Sequence, residues 1–270
     1  MFLHSDRSLL QTVRVFFRIF QIVLKVFLFP ILSVLPSFST SETSVINLEK
    51  FVYEARIDGY FDKKVSITSK ILFCKYGENE ASIKPPKELL LWCINNIDKL
   101  NSVEFEKIKE SDSTTNRKRY ALYTNDPATK QKALTELNNE HLPQKAWFIF
   151  EGYTHPDIYI ETKNEIFIGE AKRTESILTT STTWMIERDQ LIRHIDSVID
   201  SEKKVYSFFI FENPNLYNLE NYKKIEYYKK SLPHRDELET QKIIDSYIGF
   251  TTWEKINNLF DNTIDYPDTI

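Results

Sequence analysis

The sequence predicts a mixed α/β fold in which helices cover a β-sheet. Between about residues 126 and 211, segments with the residue spacing of helices and strands follow one another in the order α-β-β-β-α-β. A short polar turn at Thr162–Asn164 joins two of these strands into a hairpin. Hydrophobic residues make up 41% of the 270 residues, which is enough for a substantial core. Together these observations predict a sheet of mixed strand direction with helices packed on its faces.

The first 36 residues are predicted to form a basic amphipathic helix. Apolar residues recur there at helical spacing, and the opposite face is basic. Such a helix suits contact with an anionic membrane surface through residues 7–27, or packing on its own domain, and both alternatives stay open. Lys25 interrupts the apolar run, which argues against a spanning helix or a signal peptide. Residues 37–46 are rich in Ser and Thr and predict a linker, followed by a single domain over 47–270.

Four segments are assigned before residue 145. Lys64–Cys74 has the β-branched and apolar composition of a strand. Lys87–Leu100 has the apolar spacing of a helix, and the polar segment Ser111–Arg119 is expected to be a loop. Asp126 precedes a proline and is expected to be the N-cap of a helix that ends at about His141.

The predicted core then contains three strands, a helix and a fourth strand. The strands are expected at Lys145–Phe150, Asp157–Glu161 and Glu165–Lys172, of which the last two form the hairpin. Trp184–Asp200 carries apolar residues at helical spacing, and Lys204–Phe211 is expected to be the fourth strand.

The hairpin brings together residue types that bind a divalent metal ion. Antiparallel pairing about the turn places Asp157 opposite approximately Glu170. Side chains two residues apart on a strand share a face, so Glu170 and Lys172 point the same way. The two carboxylates and the carbonyl of Ala171 offer the hard oxygen ligands that Mg²⁺ prefers, with room for water. Lys172 would orient a water molecule or stabilise developing negative charge.

These residues resemble a known signature. Pro156-Asp157 followed by Glu170-Ala171-Lys172 looks like the motif of the PD-(D/E)XK nucleases, and the predicted αβββαβ order matches the core of that superfamily. The segments Glu170–Glu175 and Trp184–Asp196 are also similar to bacterial members without an established substrate. The resemblance implies a restriction-endonuclease-like fold and hydrolysis of phosphodiester bonds, usually in DNA. It implies Mg²⁺ as cofactor, with Mn²⁺ as an alternative.

Several further residues are candidates for the site. Gln190 matches a glutamine that many members of the superfamily bring towards the active site, whereas His194 on the same helix is more often structural. Glu136, Glu140 and Glu151 are alternatives for one more acidic residue, and the sequence does not decide among them. Three arginines are expected to bind substrate phosphates, with ordinary ion pairing as the alternative: Arg173, Arg188 and Arg193.

Composition limits the other possibilities. The formal net charge of −4 means that nucleic acid must be met by a local basic surface or by a metal ion. Tyr222–Lys230 interleaves aromatic and basic residues, which favours a helix with a solvated basic face over a surface that stacks on bases. Cys74 and Cys93 are too few for a zinc site or a disulfide framework, which favours a reducing compartment such as the cytoplasm.

The leading hypothesis is therefore a Mg²⁺-dependent DNA endonuclease. Two alternatives stay open: a nuclease of the same fold that cleaves RNA, and a non-catalytic module for nucleic-acid binding or assembly. The sequence does not distinguish a monomer from a homodimer.

Overall fold

The computed structural model describes residues 71–76, 80–100, 102–139 and 143–255. The predicted helix over residues 1–36, the linker over 37–46 and Glu140 lie outside this range. Among the described residues, no helix is both long enough and apolar enough to cross a membrane.

A single five-stranded sheet organises the described part of the chain. Its strands are β1 Ile71–Tyr76, β2 Ile158–Thr162, β3 Glu165–Lys172, β4 Lys204–Phe211 and β5 Tyr247–Thr252. They lie side by side in chain order. The first three strands pair antiparallel, whereas β3, β4 and β5 run parallel. The predicted mixed α/β fold, with a sheet of mixed direction, is confirmed.

Helices precede and follow the hairpin formed by β2 and β3. The α-helices are α1 Lys87–Asn95, α2 Glu104–Ile108, α3 Thr114–Tyr123, α4 Pro127–Leu137, α5 Gln190–Asp196, α6 Ile225–Ser231 and α7 Glu237–Ser246. Short 3₁₀ helices cover Ile97–Leu100, Pro214–Leu216 and Leu219–Lys223. The N-cap predicted for α4 is confirmed, because the carboxylate of Asp126 accepts a hydrogen bond from the backbone N–H of Thr129 at 2.7 Å.

The strand predicted at Lys145–Phe150 is wrong. These residues form turns, and the strand beside β2 is β1, which comes from far upstream. The guanidinium of Arg119 donates to the carbonyls of Trp147 and Ile149, at 2.8 and 3.4 Å. Residues 147–150 are buried in a cluster with helices, and a short buried apolar run has the same composition whether or not it is a strand.

Two further predictions differ from the structure. The polar segment Ser111–Arg119, expected to be a loop, contributes most of α3. Its last arginine packs 5.0 Å above the ring of Trp184, so tertiary contact outweighs the low apolar content. The helix expected over Trp184–Asp200 is limited to α5, because the Asp189 carboxylate caps it by accepting from the backbone N–H of Ile192 at 3.0 Å.

The described apolar side chains include two separate clusters. In the sheet core, Ile166 and Ile168 of β3 pack with residues of α5, α6 and α7. In the helical cluster, α1 to α4 pack around Phe148 and Phe150. The alternation of side chains along β3 then places Glu170 and Lys172 on the same face as the two isoleucines, at the point where the strand leaves the sheet core.

Candidate active site

The hairpin register places the two predicted metal-binding carboxylates across from each other. Ile158 of β2 pairs with Gly169 of β3, so Asp157, one residue before β2, lies across from Glu170. The Asp157 Oδ2 atom accepts a hydrogen bond from the backbone N–H of Ala171 at 2.8 Å. The predicted pairing is therefore confirmed, and Asp157 is tied directly to the opposite strand.

Lys172 lies between Glu170 and the first residue of α5. Its Nζ atom is 3.0 Å from Glu170 Oε2 and 3.3 Å from Gln190 Oε1. Lys172 is 8% exposed and Glu170 is fully buried, whereas Asp157 is partly exposed. The structure thus brings Asp157, Glu170, Lys172 and Gln190 together, with Asp157 as the carboxylate that reaches solvent.

A hydrogen-bonded chain approaches Glu170 from the opposite side. His194 Nε2 lies 2.5 Å from Glu170 Oε1, and His194 Nδ1 lies 2.5 Å from Thr154 Oγ1. Arg193 Nε donates to the same Thr154 oxygen at 3.0 Å. His194 was expected to be structural, and its position on α5, four residues after Gln190, aims both side chains at the hairpin.

The charges in this cluster shift one another's pKa values in different directions. Burial raises the pKa of Asp157 to about 7, and the negative charge of Glu170 adds to the shift, although the Ala171 N–H and Lys172 oppose it. Burial also disfavours the charged form of Glu170, but His194 and Lys172 outweigh it and hold its pKa below the ordinary value. Burial likewise opposes the charge of Lys172, yet Glu170 and Asp157 raise its pKa. Lys172 is therefore a fixed cation rather than a neutral base.

A third carboxylate, Glu80, acts on the site and was not among the predicted residues. It is partly buried, and burial together with the charge of Glu170 raises its pKa, while His155 lowers it. Its charge in turn raises the pKa of Asp157. Glu80 lies shortly after β1, and the pairing of β1 with the distant β2 places it near the site. No local pattern in the sequence therefore indicated that Glu80 belongs to the site.

The donor set fits a hard divalent cation. The like charges of Glu80, Asp157 and Glu170 repel one another, and a cation between them would relieve that repulsion. Each Glu170 oxygen accepts one hydrogen bond and keeps a second lone pair, so coordination does not require those bonds to break. Within the described residues, no three His, Cys, Asp or Glu side chains form a metal site by themselves. Mg²⁺ commonly completes its shell with backbone carbonyls and water.

Arg188 is not available for a phosphate. It is fully buried, and it donates to both carboxylate oxygens of Glu151, at 2.7 and 2.8 Å. It also donates to Asp196 Oδ2 at 2.6 Å and to the Ser231 carbonyl at 2.8 Å. A structural ion pair replaces the expected phosphate contact of Arg188, and it also engages Glu151, one of the three alternatives for a further acidic residue.

The other two arginines are partly exposed. Arg173 is partly buried, and its Nε atom lies 3.4 Å from Glu212 Oε2, which matches the ion-pair alternative. Arg193 is anchored through Nε to Thr154 and is partly exposed. Of the three predicted phosphate-binding arginines, Arg193 is the one hydrogen-bonded to Thr154, which also contacts His194.

The remaining candidates lie away from the cluster. Glu136 accepts a hydrogen bond from Trp147 Nε1 at 2.9 Å, in the helical cluster. In the segment Tyr222–Lys230, Tyr222 and Tyr227 donate to the buried carboxylate of Asp189, and Lys230 lies 3.3 Å from Glu187. These tyrosines point inwards and not towards a ligand.

Comparison of the whole chain with protein-family models, curated proteins and solved structures finds no match.

Proposed function

We propose that the protein is a divalent-metal-dependent nuclease of the PD-(D/E)XK type that hydrolyses phosphodiester bonds in DNA. The observation that carries the proposal is the convergence of Asp157, Glu170 and Lys172 from two paired strands. Asp157 is bonded to the backbone of Ala171, and Lys172 is bonded to Glu170. Two carboxylates and an ammonium group held together at the end of a sheet form a costly arrangement unless a ligand compensates it.

The strand arrangement supports the same proposal. An antiparallel series of three strands is followed by α5 and a parallel fourth strand. In the predicted αβββαβ core the first helix precedes the first strand, whereas here β1 takes the place of the strand expected at Lys145–Phe150 and α4 follows it. The part that supports the proposal is therefore the ββαβ series from β2 to β4. The helices α1 to α4 are then an insertion between the first two core strands.

Asp157, Glu170 and the carbonyl of Ala171 would hold Mg²⁺ or Mn²⁺. When bound, the cation would supply positive charge to a phosphodiester and acidity to a water molecule.

The protein side chains supply the rest of the chemistry. Lys172 carries a fixed positive charge between Glu170 and Gln190, where it would orient the attacking water and stabilise negative charge as it develops on the phosphate. Arg193, held by Thr154 at the edge of the cluster, would bind a neighbouring phosphate. DNA is proposed as the substrate because of the resemblance of the motif, and RNA is the alternative that the assay must include.

A cleavage screen tests the proposal. The wild-type chain would be incubated with single-stranded, duplex and branched DNA and with RNA, across a series of divalent metals. Asp157→Ala and Lys172→Ala are each expected to reduce the rate about 10²–10³-fold, because each removes a charge that acts on the reacting phosphate.

Glu187→Ala and Lys230→Ala are matched controls, because these two residues form an exposed ion pair outside the cluster. Both controls should cleave at the wild-type rate. Equal activity in the wild type and the two site variants would overturn the site assignment. Absence of cleavage of every substrate would favour the non-catalytic binding module.

A further inference from the structure

We propose that His194 and Thr154 are positioning residues that hold the Glu170 carboxylate in place for the metal ion. This inference rests on the proposed function, because it concerns the orientation of one of the proposed metal ligands. It adds two residues from outside the signature motif, one on α5 and one on the segment before the hairpin.

The three groups are buried and in direct contact. His194 and Glu170 are fully buried, and Thr154 is 1% exposed. The imidazole bridges the other two side chains, with 2.5 Å from Nε2 to Glu170 Oε1 and 2.5 Å from Nδ1 to Thr154 Oγ1. Thr154 is itself fixed by backbone hydrogen bonds of 2.9 Å in both directions with Ile83. The hydrogen-bonded series of side chains is therefore anchored to the backbone at Thr154.

The donors and acceptors along this hydrogen-bonded series are compatible with one another. Arg193 Nε can only donate, so the Thr154 oxygen accepts there, and its own proton is available for His194 Nδ1. Because an ionised carboxylate can only accept, the N–H at His194 Nε2 donates to Glu170. Every polar atom in the series has a partner of the right kind, which a buried series requires.

Two donors approaching from opposite sides fix the plane of the Glu170 carboxylate. Lys172 binds Oε2 at 3.0 Å, and His194 binds Oε1 at 2.5 Å. A glutamate side chain has several rotatable bonds, so without the second donor its carboxylate would rotate about the Lys172 contact. Outer partners of this kind orient the residues that coordinate a metal, and losing one commonly costs about 10–100-fold in metal affinity.

The series also reaches the proposed phosphate-binding arginine. Arg193 and His194 are bonded to the same threonine oxygen. Thr154 therefore helps to position both Glu170, through His194, and Arg193 directly. Removing the Thr154 hydroxyl should disturb the positions of both side chains.

Mn²⁺ binding to the full chain, measured by isothermal titration calorimetry, tests the proposal. His194→Leu removes both polar contacts and is expected to weaken Mn²⁺ binding about 10–100-fold. His194→Gln places an amide N–H near the position of Nε2 and should recover most of the affinity. Thr154→Val should weaken binding to a smaller extent, whereas Thr154→Ser keeps the hydroxyl and should match the wild type.

His234 provides a matched control. It is also a buried histidine beside a carboxylate, with Nε2 at 3.2 Å from Asp196 Oδ1, and it lies outside the site. His234→Gln should leave the Mn²⁺ affinity unchanged, even if it lowers the free energy of unfolding. In cleavage assays, His194→Leu should raise the Mg²⁺ concentration needed for half-maximal rate, and saturating Mg²⁺ should restore much of the rate.

The outcomes separate the two proposals. If Asp157→Asn abolishes Mn²⁺ binding while His194→Leu binds as the wild type does, the positioning role is overturned and the proposed function stands. If His194→Leu does not fold, His194→Gln and Thr154→Val decide the question. A large loss in the glutamine variant, or no loss in the valine variant, would overturn the role. Absence of Mn²⁺ binding to the wild type would overturn both proposals.

Discussion

Two groups of charged side chains, one buried and one only partly buried, meet at α5, and they differ in how well their charges balance. In the first group, Arg188 binds both Glu151 and Asp196, and Arg235 binds Asp196 again at 2.9 Å. In the second group, the carboxylates of Asp157 and Glu170 lie beside Lys172, and the charge of Glu80 adds to theirs. The first group pairs each carboxylate with a guanidinium, whereas the second has an excess of acid.

The two groups shift the same residue type in opposite directions. Burial disfavours the ionised form of Asp196, yet Arg188 and its other partners hold its pKa well below the ordinary value. Burial also disfavours ionised Asp157, and there Glu170 raises the pKa further. A balanced group stabilises the fold that contains it, whereas an excess of buried negative charge is costly unless a cation arrives. The imbalance, and not burial alone, marks the candidate site.

The largest effect is expected from breaking the balanced group. Arg188→Met should lower the free energy of unfolding by about 3–5 kcal/mol, because it leaves Glu151 buried without its cation. Urea denaturation followed by circular dichroism measures the change.

Arg117→Met, on the exposed side of α3, is the matched control and should change stability by less than about 0.5 kcal/mol. Adding Glu151→Gln to Arg188→Met should recover part of the loss. A loss below about 1 kcal/mol in Arg188→Met would remove the contrast between the two groups.

A divalent cation should stabilise the folded protein by binding at the group that has an excess of acid, which contains Asp157. At about 100 times its dissociation constant, Mn²⁺ should raise the free energy of unfolding of the wild type by about 2.7 kcal/mol, because it binds the folded state. Asp157→Asn should lose this gain. Thermal unfolding with and without Mn²⁺ measures both proteins, and an equal gain in the two would place the metal elsewhere.

Without metal, removing one acid from the unbalanced group should stabilise the protein. The folded pKa of Asp157 is raised to about 7, whereas the unfolded value is about 4. The folded state therefore keeps a proton that the unfolded state releases, so the wild type loses stability as pH rises from about 4 to above 7. Asp157→Asn lacks this loss and should be more stable at pH 8, on the order of 1–3 kcal/mol.

Denaturation in the presence of a chelator, at pH 4.5 and pH 8, measures that difference. The difference in the free energy of unfolding between Asp157→Asn and the wild type should be small at pH 4.5 and larger at pH 8. A gap that shrinks with rising pH would contradict the raised pKa.

The smallest effect is expected outside both groups. Lys230 and Glu187 form a pair 3.3 Å apart whose side chains are 61% and 54% exposed. Lys230→Met should change the free energy of unfolding by less than about 0.5 kcal/mol, because solvent screens exposed pairs. If urea denaturation shows a larger change, the exposed pair contributes to stability as a buried charge does, and the expected difference between exposed and buried charges is contradicted.

The parts of the molecule that depend on local pattern could be predicted. The bounds of β3 and β4, the cap of α4 and the facing of Asp157 and Glu170 follow from alternation, capping chemistry and a short turn. Each of these signals extends over a few residues, so the sequence alone contains it.

The parts that depend on distant contacts could not be predicted. The pairing of β1 with β2 involves residues from opposite ends of the helical insertion, and the same pairing brings Glu80 towards Asp157. Arg188 looked like a surface arginine because its partners, Glu151 and Asp196, are recognisable only once the chain has folded. His194 gave no local signal for its contact with Glu170, since a histidine on a helix is compatible with many roles.

The short turn between β2 and β3 also has a kinetic consequence. Hairpins with short turns form in about 1–10 μs, whereas β1 must close a loop of about 80 residues before it can pair with β2. Asp157, Glu170 and Lys172 all belong to the hairpin or to the residue before it, so their arrangement is expected to be set early in folding. Strand β1, which precedes Glu80, would pair with β2 later. The site would therefore gain the negative charge of Glu80 only once β1 has joined the sheet.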